Sequence, residues 1–287
     1  MKGVILTAGN AKRLKPITNA YGKVLVPIYN KPMIDYGVSL FIASGIRDIV
    51  LVCSKPDLPI YKKLYKKFIG QGVNIDFKIQ KVAKGTANAL KYASGFVNGD
   101  DFVLLFGDNI FISNNMSAML KEAIKNNKGL TMFAKGFSDP ERFGVIEHDK
   151  NYLITNMEEK PKQPKTNLAV IGLYVFKGDA MKRLKDVKLS ERGEYELTDV
   201  IQQYIAENNA MVKVLDDNTK WLDTGTHESL LECSEIVREF EKTNGLIVCI
   251  ELELYKQKLI NKNQLEELIS GYGADYIKQV LRQTLPL

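Results

Sequence analysis

The chain has 287 residues, of which 45% are apolar, so it can bury the core of one large α/β domain or of a domain with a smaller appendage. Nowhere do about 18 apolar residues follow one another without a charge, so we expect neither a secretory nor a membrane segment and a cytoplasmic location. A formal net charge of +6 suits anionic substrates, but the lysines are scattered among acids and no basic stripe with interleaved aromatic residues predicts nucleic-acid binding.

The first half of the chain alternates short apolar runs with helical patterns, which predicts a parallel sheet with right-handed crossovers. The predicted strands are Lys2–Thr7, Ile49–Cys53, Val73–Ile79 and Phe102–Phe106, and the predicted helices are Met33–Ser44, Pro59–Phe68 and Thr86–Phe96. The runs VILT, IVLVC and FVLLF are continuously apolar, as expected for strands covered on both faces. Ligands in such sheets bind beyond the carboxyl ends of the strands, so the loops near Ala8 and Gly107 are expected to share one crevice.

The second half changes rhythm after about residue 130. Closely spaced strand patterns at 131–136, 143–148, 152–157 and 169–176 predict additional sheet, followed by helices near Asp179–Leu184 and Thr198–Glu207. From His227 onward the pattern is almost wholly helical. Cys53, Cys233 and Cys249 lie far apart without C-x-x-C spacing, which predicts structural thiols and neither a disulfide framework nor a zinc site.

Several polar residues lie where chemistry is expected. The segment from Leu6 to Leu14 joins the first strand to cationic residues, and such loops can offer backbone N–H groups to phosphate, although it is neither a dinucleotide-binding nor a P-loop motif. Asp108 directly follows the strand FVLLF, where a carboxylate can hold Mg²⁺ together with substrate phosphates. Asp223 would supply a second carboxylate if the chain folds back to the same crevice.

Eight segments, in order and over nearly the whole length, make the chain resemble the glucose-1-phosphate thymidylyltransferases within the sugar nucleotidylyltransferases. They are RLKPIT, GKVLVPIYNKPMI, FGDNIF, DPERFGV, EEKP, AVIGLYVF, RGEYELTDV and WLDTGTHESL. The resemblance implies an α/β, Rossmann-like nucleotidyltransferase fold with a mixed, mainly parallel sheet. It also implies a catalytic domain at 1–226, a packed helical extension at 227–287 and, since the tail resembles that of homotetrameric members, a homotetramer.

By this resemblance the substrates are a nucleoside triphosphate and a sugar 1-phosphate, by default dTTP and glucose 1-phosphate, and the cofactor is Mg²⁺. Arg13 and Lys23 would bind the triphosphate, Asp108 and Asp223 would hold the metal, and Lys160 and Arg192 would grip the sugar phosphate. The remaining substrate-binding positions would be Leu6, Ala8, Gly9 and Lys12 in the loop, Gln80 and Gly85 at the base, and Gly144, Glu159, Val170 and Gly172 at the sugar. Asp139, Glu141 and Glu158 are assigned structural roles.

The chain departs from the family pattern at the phosphate loop, where Ala8, Ala11 and Lys12 interrupt an approximate G-G-x-G-T-R-L. Val24 and Phe143 stand where Gln and Tyr are usual. Three alternatives stay open beside the default: another nucleotide such as UTP or CTP, another sugar phosphate, or a non-catalytic regulatory protein that binds nucleotide-sugars.

Overall fold

A computed structural model describes residues 1–9 and 11–284 of the chain; Asn10, which falls within the predicted phosphate loop, and residues 285–287 lie outside the described part. The strands are β1 Lys2–Leu6, β2 Pro27–Ile28, β3 Lys31–Pro32, β4 Asp48–Cys53, β5 Asn74–Ile79, β6 Phe102–Phe106, β7 Asn109–Ile112, β8 Leu130–Gly136, β9 Gly144–His148, β10 Ile154–Glu159, β11 Leu168–Phe176, β12 Ala210–Val214 and β13 Lys220–Asp223. The α-helices are α1 Met33–Ala43, α2 Leu58–Tyr65, α3 Thr86–Lys91, α4 Ser94–Val97, α5 Met116–Asn126, α6 Ala180–Arg183, α7 Thr198–Ala206, α8 His227–Asn244, α9 Ile250–Lys256, α10 Lys262–Ile269 and α11 Ala274–Arg282.

The centre of the molecule is a mixed sheet in the order β10-β9-β11-β6-β1-β4-β5, with β8 beside β11 and β12 beside β8. Strands β6, β1, β4 and β5 run parallel, whereas β11 joins this group antiparallel to β6. Successive side chains of a strand point to opposite faces, and here both faces are buried. Ile5 of β1 belongs to the core on one side of the sheet, while Val4 and Leu6 belong to the core on the other side. The continuously apolar runs are therefore explained by helices on both faces.

The last four α-helices of the described chain close one side of the molecule. Thr226 caps α8, since its hydroxyl oxygen accepts a hydrogen bond from the backbone N–H of Ser229 at 3.1 Å. Within this group, α8 packs against β2 and α9 against α1, and their apolar side chains join the core cluster that also contains Ile5. Lys31 and Glu241 form an ion pair of 2.8 Å between this group and the body of the fold, with side chains only 6% and 1% exposed.

The predicted elements of the first half are confirmed, with shifts at their ends. The helix predicted at Thr86–Phe96 is two helices, α3 and α4, because backbone bonds of the 3₁₀ type, from the N–H of Tyr92 to Ala89 and of Ala93 to Leu90, tighten the chain between them. Strand β12 and the pair of β7 and β13 were not predicted from the sequence. Within the described part of the chain, no helix is both long and apolar enough to cross a membrane.

Candidate active site

Two adjoining cavities open at the carboxyl ends of β1 and β6. We call them the loop cavity, of about 410 Å³, and the sheet cavity, of about 630 Å³. They share Arg13, Phe106 and Asp108 in their linings. The backbone N–H of Gly107 donates to the carbonyl of Leu6 at 2.9 Å, so the loops after β1 and β6 meet at one place, as the sequence predicts. Asp108 and Arg13 therefore stand at the boundary between two spaces that are each large enough for part of a substrate.

The loop cavity is formed by the segment after β1, the segment containing Lys23, and the chain entering α3. Its lining consists of Leu6, Thr7, Ala8, Gly9, Ala11, Arg13, Lys23, Val24, Gln80, Ala83, Gly85, Thr86, Ala89, Phe106, Asp108 and Glu194. Gly85 has a φ of +97°, and a Cβ there would lie 2.8 Å from the backbone nitrogen of Tyr195. A side chain at this position would therefore be strained and would collide with backbone.

The phosphate-loop departures have different structural consequences. Ala11 adopts a left-handed conformation, with φ 36° and ψ 43°, which is unfavourable for a residue with a Cβ. Its carbonyl accepts hydrogen bonds from the backbone N–H of Leu14 at 3.0 Å and from the hydroxyl of Thr18 at 3.1 Å. Ala8 has no positive φ, and its N–H donates to the carbonyl of Val52 at 3.1 Å. Strain in the described part of this loop is therefore concentrated at Ala11.

The sheet cavity is formed by β9, β10, β11 and the segment ending β13. Its lining consists of Arg13, Phe106, Asp108, Asn109, Arg142, Phe143, Gly144, Met157, Glu159, Lys160, Val170, Gly172, Tyr174, Trp221 and Asp223. Gly172 has a φ of +63°, and a Cβ there would lie 2.8 Å from Nδ2 of Asn109. The rings of Trp221 and Phe143 pack edge to face, with their centroids 4.8 Å apart. Aromatic rings therefore wall one side of a cavity that also carries several charged groups.

The second carboxylate reaches the crevice because β13 pairs antiparallel with β7. Asp223 is the register partner of Asn109, the residue after Asp108. Two hydrogen bonds hold this return: the Trp221 indole N–H donates to Oδ1 of Asn109 at 2.6 Å, and the Thr224 hydroxyl donates to the carbonyl of Asp108 at 3.2 Å. Asp108 and Asp223 consequently lie on neighbouring chain segments.

Each of these carboxylates is paired with a cation. The Lys23 ammonium donates to Oδ2 of Asp108 at 2.7 Å, and the Arg142 guanidinium donates to Oδ2 of Asp223 at 3.1 Å. Arg13 is near as well, since a Cβ at Gly225 would lie 3.2 Å from Nη2 of Arg13 and 3.3 Å from both carboxylate oxygens of Asp223. The boundary between the cavities is therefore a region of alternating charge.

Glu159 is the centre of a second charged group. Arg192 Nη1 lies 3.4 Å from Oε1 of Glu159 and 3.6 Å from Glu196, and the Lys160 ammonium lies 4.0 Å from Glu159. Burial raises the pKa of the Glu159 carboxyl, and the charges of Lys160 and Arg192 oppose that rise. This group combines Glu159 and Glu196 with two cations beside the sheet cavity.

The cavity linings contain most of the site residues predicted from the sequence. Those in the loop cavity are Leu6, Ala8, Gly9, Arg13, Lys23, Gln80, Gly85 and Asp108. Those in the sheet cavity are Arg13, Asp108, Gly144, Glu159, Lys160, Val170, Gly172 and Asp223. Arg192 lines neither cavity but contacts Glu159, and Lys12 is exposed next to the lining residues Ala11 and Arg13.

Some lining residues were not predicted. Asn109 directly follows Asp108, and this adjacency is the signal that could have identified it. Arg142 lies in the segment DPERFGV, but nothing in its spacing indicates that it would reach Asp223. Asp139, assigned a structural role, accepts a 2.8 Å hydrogen bond from Arg142 and is thereby connected to the site.

The cysteines and histidines of the described chain lie outside both cavity linings. Cys53, Cys233 and Cys249 are buried and unbridged, and burial raises the pKa of these thiols to about 11, 12 and 12. His148 stacks on Tyr152, and His227 begins α8. The charged groups in the two linings are Arg13, Lys23, Asp108, Arg142, Glu159, Lys160, Glu194 and Asp223, among apolar and aromatic residues.

Known proteins are similar to this chain over most of its length. The family profile described as "Nucleotidyl transferase" matches residues 2–239. The chain is 36% identical over 286 residues to the glucose-1-phosphate thymidylyltransferase of Neisseria meningitidis, covering 99% of both chains. It is 37% identical over 289 residues to the Mycobacterium tuberculosis enzyme of the same name, covering 99% of this chain and 100% of the relative.

Solved structures show the same fold. A candidate glucose-1-phosphate thymidylyltransferase from Bacillus anthracis, in complex with a sucrose, matches with a TM-score of 0.75 and 33% identity over 83% of this chain and 96% of the other. A UDP-glucose pyrophosphorylase complexed with UDP-glucose also has a TM-score of 0.75, at 22% identity, over 83% of this chain and 98% of the other. The second match supports the architecture alone.

Proposed function

This chain belongs to the nucleotidyl transferase family and is a nucleotidyltransferase of nucleotide-sugar biosynthesis, and from that premise we propose that it converts dTTP and glucose 1-phosphate to dTDP-glucose and pyrophosphate. The structural observation that supports this proposal most directly is that the two cavities meet at Arg13 and Asp108. The nucleoside triphosphate occupies the loop cavity and the sugar phosphate occupies the sheet cavity. Their reacting groups then meet at the shared boundary.

In the loop cavity, the cationic groups serve the triphosphate. Arg13 and Lys23 bind its phosphates, and the segment with Leu6, Ala8 and Gly9 lies alongside them, with Lys12 at its outer side. Gln80 and Gly85 contact the base. Gln80 is nearly buried at 8% exposure, and its amide donates to the carbonyl of Val82 at 3.2 Å, which supports a fixed orientation for reading a base edge.

In the sheet cavity, Gly144, Glu159, Val170 and Gly172 contact sugar hydroxyls, while Lys160 and Arg192 bind the sugar phosphate. Arg192 contacts three acids, Glu159, Glu194 and Glu196, all within 3.8 Å. Without a ligand, these three carboxylates are the partners of the Arg192 guanidinium. We expect it to exchange one of these partners for a phosphate oxygen, a ligand that its planar fork suits well.

The proposed reaction is an in-line displacement at the α-phosphorus. An ionised oxygen of the sugar phosphate forms a bond to that phosphorus, the bond to the β-phosphate bridging oxygen breaks, and pyrophosphate leaves with the electron pair. Such a reaction needs positioning and charge stabilisation and no protein nucleophile. Arg13 and Lys23 stabilise the negative charge that develops on the leaving pyrophosphate.

The carboxylates at the boundary fit Mg²⁺. This ion prefers one or two carboxylates together with substrate phosphates, and Asp108 and Asp223 provide two carboxylates on paired segments. Their present partners, Lys23 and Arg142, indicate that this position attracts positive charge. Bound Mg²⁺ would neutralise phosphate charge at the reacting centre.

We further propose that residues 1–226 form the catalytic unit and 227–287 an extension that supports a homotetramer in the cytoplasm. The start of α8 at His227, the packing of α9 on α1, and the resemblance of the tail to tetrameric relatives support this division. Light scattering at micromolar concentration tests the assembly: a tetramer mass is expected, and a monomer would contradict it.

Pyrophosphate release tests the reaction itself. Purified protein with Mg²⁺ is supplied with each pairing of dTTP, UTP or CTP with a panel of hexose 1-phosphates. The proposal expects the highest kcat/KM for dTTP with glucose 1-phosphate. A different preferred pair would revise the substrates only, whereas nucleotide-sugar binding without release from any pair would indicate a regulatory protein.

A further inference from the structure

Arg142, which lines the sheet cavity, bridges two carboxylates, of which only that of Asp223 also lines the cavity. Its Nη1 donates to Oδ2 of Asp139 at 2.8 Å, and its Nη2 donates to Oδ2 of Asp223 at 3.1 Å. It ends the short 3₁₀ helix Pro140–Arg142 between β8 and β9. One arginine therefore connects an acid of its own turn to the carboxylate that comes from β13.

The bridge is poorly suited to a stabilising role. The Arg142 side chain is 47% exposed and that of Asp223 25%, and ion pairs with such access to solvent contribute little to folding. Its two ends are also unequal. The bond to Asp139, at 2.8 Å and within the same short turn, is shorter than the 3.1 Å bond to Asp223, which comes from a separate strand. The end on Asp139 is thus the stronger one, and the end on Asp223 is the one that can exchange.

We propose that Arg142 is a positioning residue that holds Asp223 in the metal-free protein and competes with the divalent cation for that carboxylate, an inference that rests on the proposed function. A guanidinium and a divalent cation repel each other when both contact one carboxylate. Metal binding therefore displaces Nη2 from Asp223. Asp139 keeps the displaced arginine beside the cavity because the bond to Nη1 is not broken.

The experiment measures metal binding without turnover. Mn²⁺ is titrated into substrate-free protein, and free Mn²⁺ is counted by electron paramagnetic resonance at constant ionic strength. The set consists of the wild type, Arg142→Gln, Arg142→Lys, Asp139→Asn and the double variant Arg142→Gln with Asp139→Asn. Asp108→Asn and Asp223→Asn identify the metal that binds at the proposed site, and circular dichroism melting verifies that each variant folds.

The two single substitutions should shift Mn²⁺ affinity in opposite directions. Arg142→Gln removes the competitor, so the affinity should rise roughly three- to tenfold. Asp139→Asn leaves Asp223 as the partner of the arginine, so the affinity should fall roughly two- to fivefold. Arg142→Lys keeps the charge and should stay nearer the wild type. The double variant should match Arg142→Gln, because Asp139 acts only through the arginine.

Each other outcome overturns the inference. Unchanged Mn²⁺ affinity in both single variants would show that Arg142 does not compete. A double variant weaker than Arg142→Gln would show that Asp139 acts directly by its charge. A third such outcome is that the wild type shows no Mn²⁺ binding that is lost in Asp108→Asn and Asp223→Asn. In that case no metal binds at this site, and Arg142 cannot compete with one. Pyrophosphate release with and without Mg²⁺ decides the proposed function separately in all three cases.

Discussion

Asp223 lies opposite Asn109 in the antiparallel pair of β13 and β7, which brings it next to Asp108, the residue before Asn109. The two aspartates are separated by more than a hundred residues along the chain. The indole N–H of Trp221, which donates to the side chain of Asn109 at 2.6 Å, holds the two strands in this register. A one-residue slip would turn Asp223 away from the cavity.

Asp108→Asn and Asp223→Asn are each expected to reduce kcat at least about a hundredfold, because each removes half of the negative charge that would hold the metal. The far-ultraviolet circular dichroism spectrum and melting temperature should stay close to wild type. Glu158→Gln is the matched control, since Glu158 contacts Lys165 at 3.9 Å and lines neither cavity. If either aspartate variant turns over like Glu158→Gln, that aspartate is not a metal ligand.

Ala11→Gly should stabilise the protein, by roughly 0.5 to 1 kcal/mol in the free energy of unfolding, because glycine adopts the left-handed conformation without the cost of a Cβ. Ala8→Gly is the control in the same loop. Ala8 has no positive φ, so glycine there should destabilise by a similar amount through the entropy of the unfolded chain. Denaturant unfolding measures both, and equal signs for the two variants would refute this account of the loop.

Lys12→Thr should weaken binding of the nucleoside triphosphate about tenfold at low ionic strength and less at moderate salt. Lys12 is exposed beside Arg13, where it can add a charge-assisted contact to the phosphates. Calorimetric titration with a non-reactive triphosphate analogue is the measurement. Sugar-phosphate affinity, measured in the same way, should change much less. An unaltered nucleotide affinity at both salt concentrations would assign Lys12 to the solvated surface.

Lys31→Met should destabilise the fold by about 3 to 5 kcal/mol, because it leaves the buried carboxylate of Glu241 without its cation. Lys242→Met breaks the pair of Lys242 with Glu239 at the surface of the same helix, where both side chains are more than half exposed. That control should cost under about 1 kcal/mol. Unfolding in guanidinium chloride compares them. Similar losses in the two variants would mean that the buried pair does not anchor α8.

Asp35 should make stability depend on pH. Burial raises the pKa of its carboxyl from 3.8 to about 7, with Glu251 adding to the rise and Tyr65, Lys31 and Lys67 opposing it. Between about pH 4 and 7 the folded protein keeps a proton that the unfolded chain loses, so this contribution to stability falls as pH rises, by at most about 1.4 kcal/mol per pH unit.

Asp35→Asn removes that dependence, so the stability of the variant relative to wild type should increase from pH 4 to pH 7. Tyr65→Phe removes the 2.8 Å hydrogen bond that lowers the pKa of Asp35, so it should extend the decline above pH 7. Urea unfolding at a series of pH values measures both. A constant difference between Asp35→Asn and wild type across this range would contradict the assignment.

Local patterns in the sequence determined the parallel core of the fold. The runs IVLVC and FVLLF lie in β4 and β6, and all of VILT except its last residue lies in β1. These strands are apolar along their length because both of their faces are covered. The expectation that the loops near Ala8 and Gly107 meet follows from the same pattern, since parallel neighbouring strands end at one edge of a sheet. The individual lining residues that were predicted came from the resemblance of the eight segments to known enzymes and not from this strand pattern.

Only the tertiary structure decided which distant groups meet. Strand β13 returns to β7 by pairing between two segments whose sequences give no local sign that they pair. From the residues alone, Asp223 could be placed beside Asp108 only if the chain folded back to the same crevice. The contact of Arg142 with Asp223 depends on that return. The left-handed conformation of Ala11 occurs where its carbonyl accepts bonds from Leu14 and Thr18, and no local pattern indicates it. Residue spacing determines periodicity along one element, whereas these contacts arise from how separate elements pack in space.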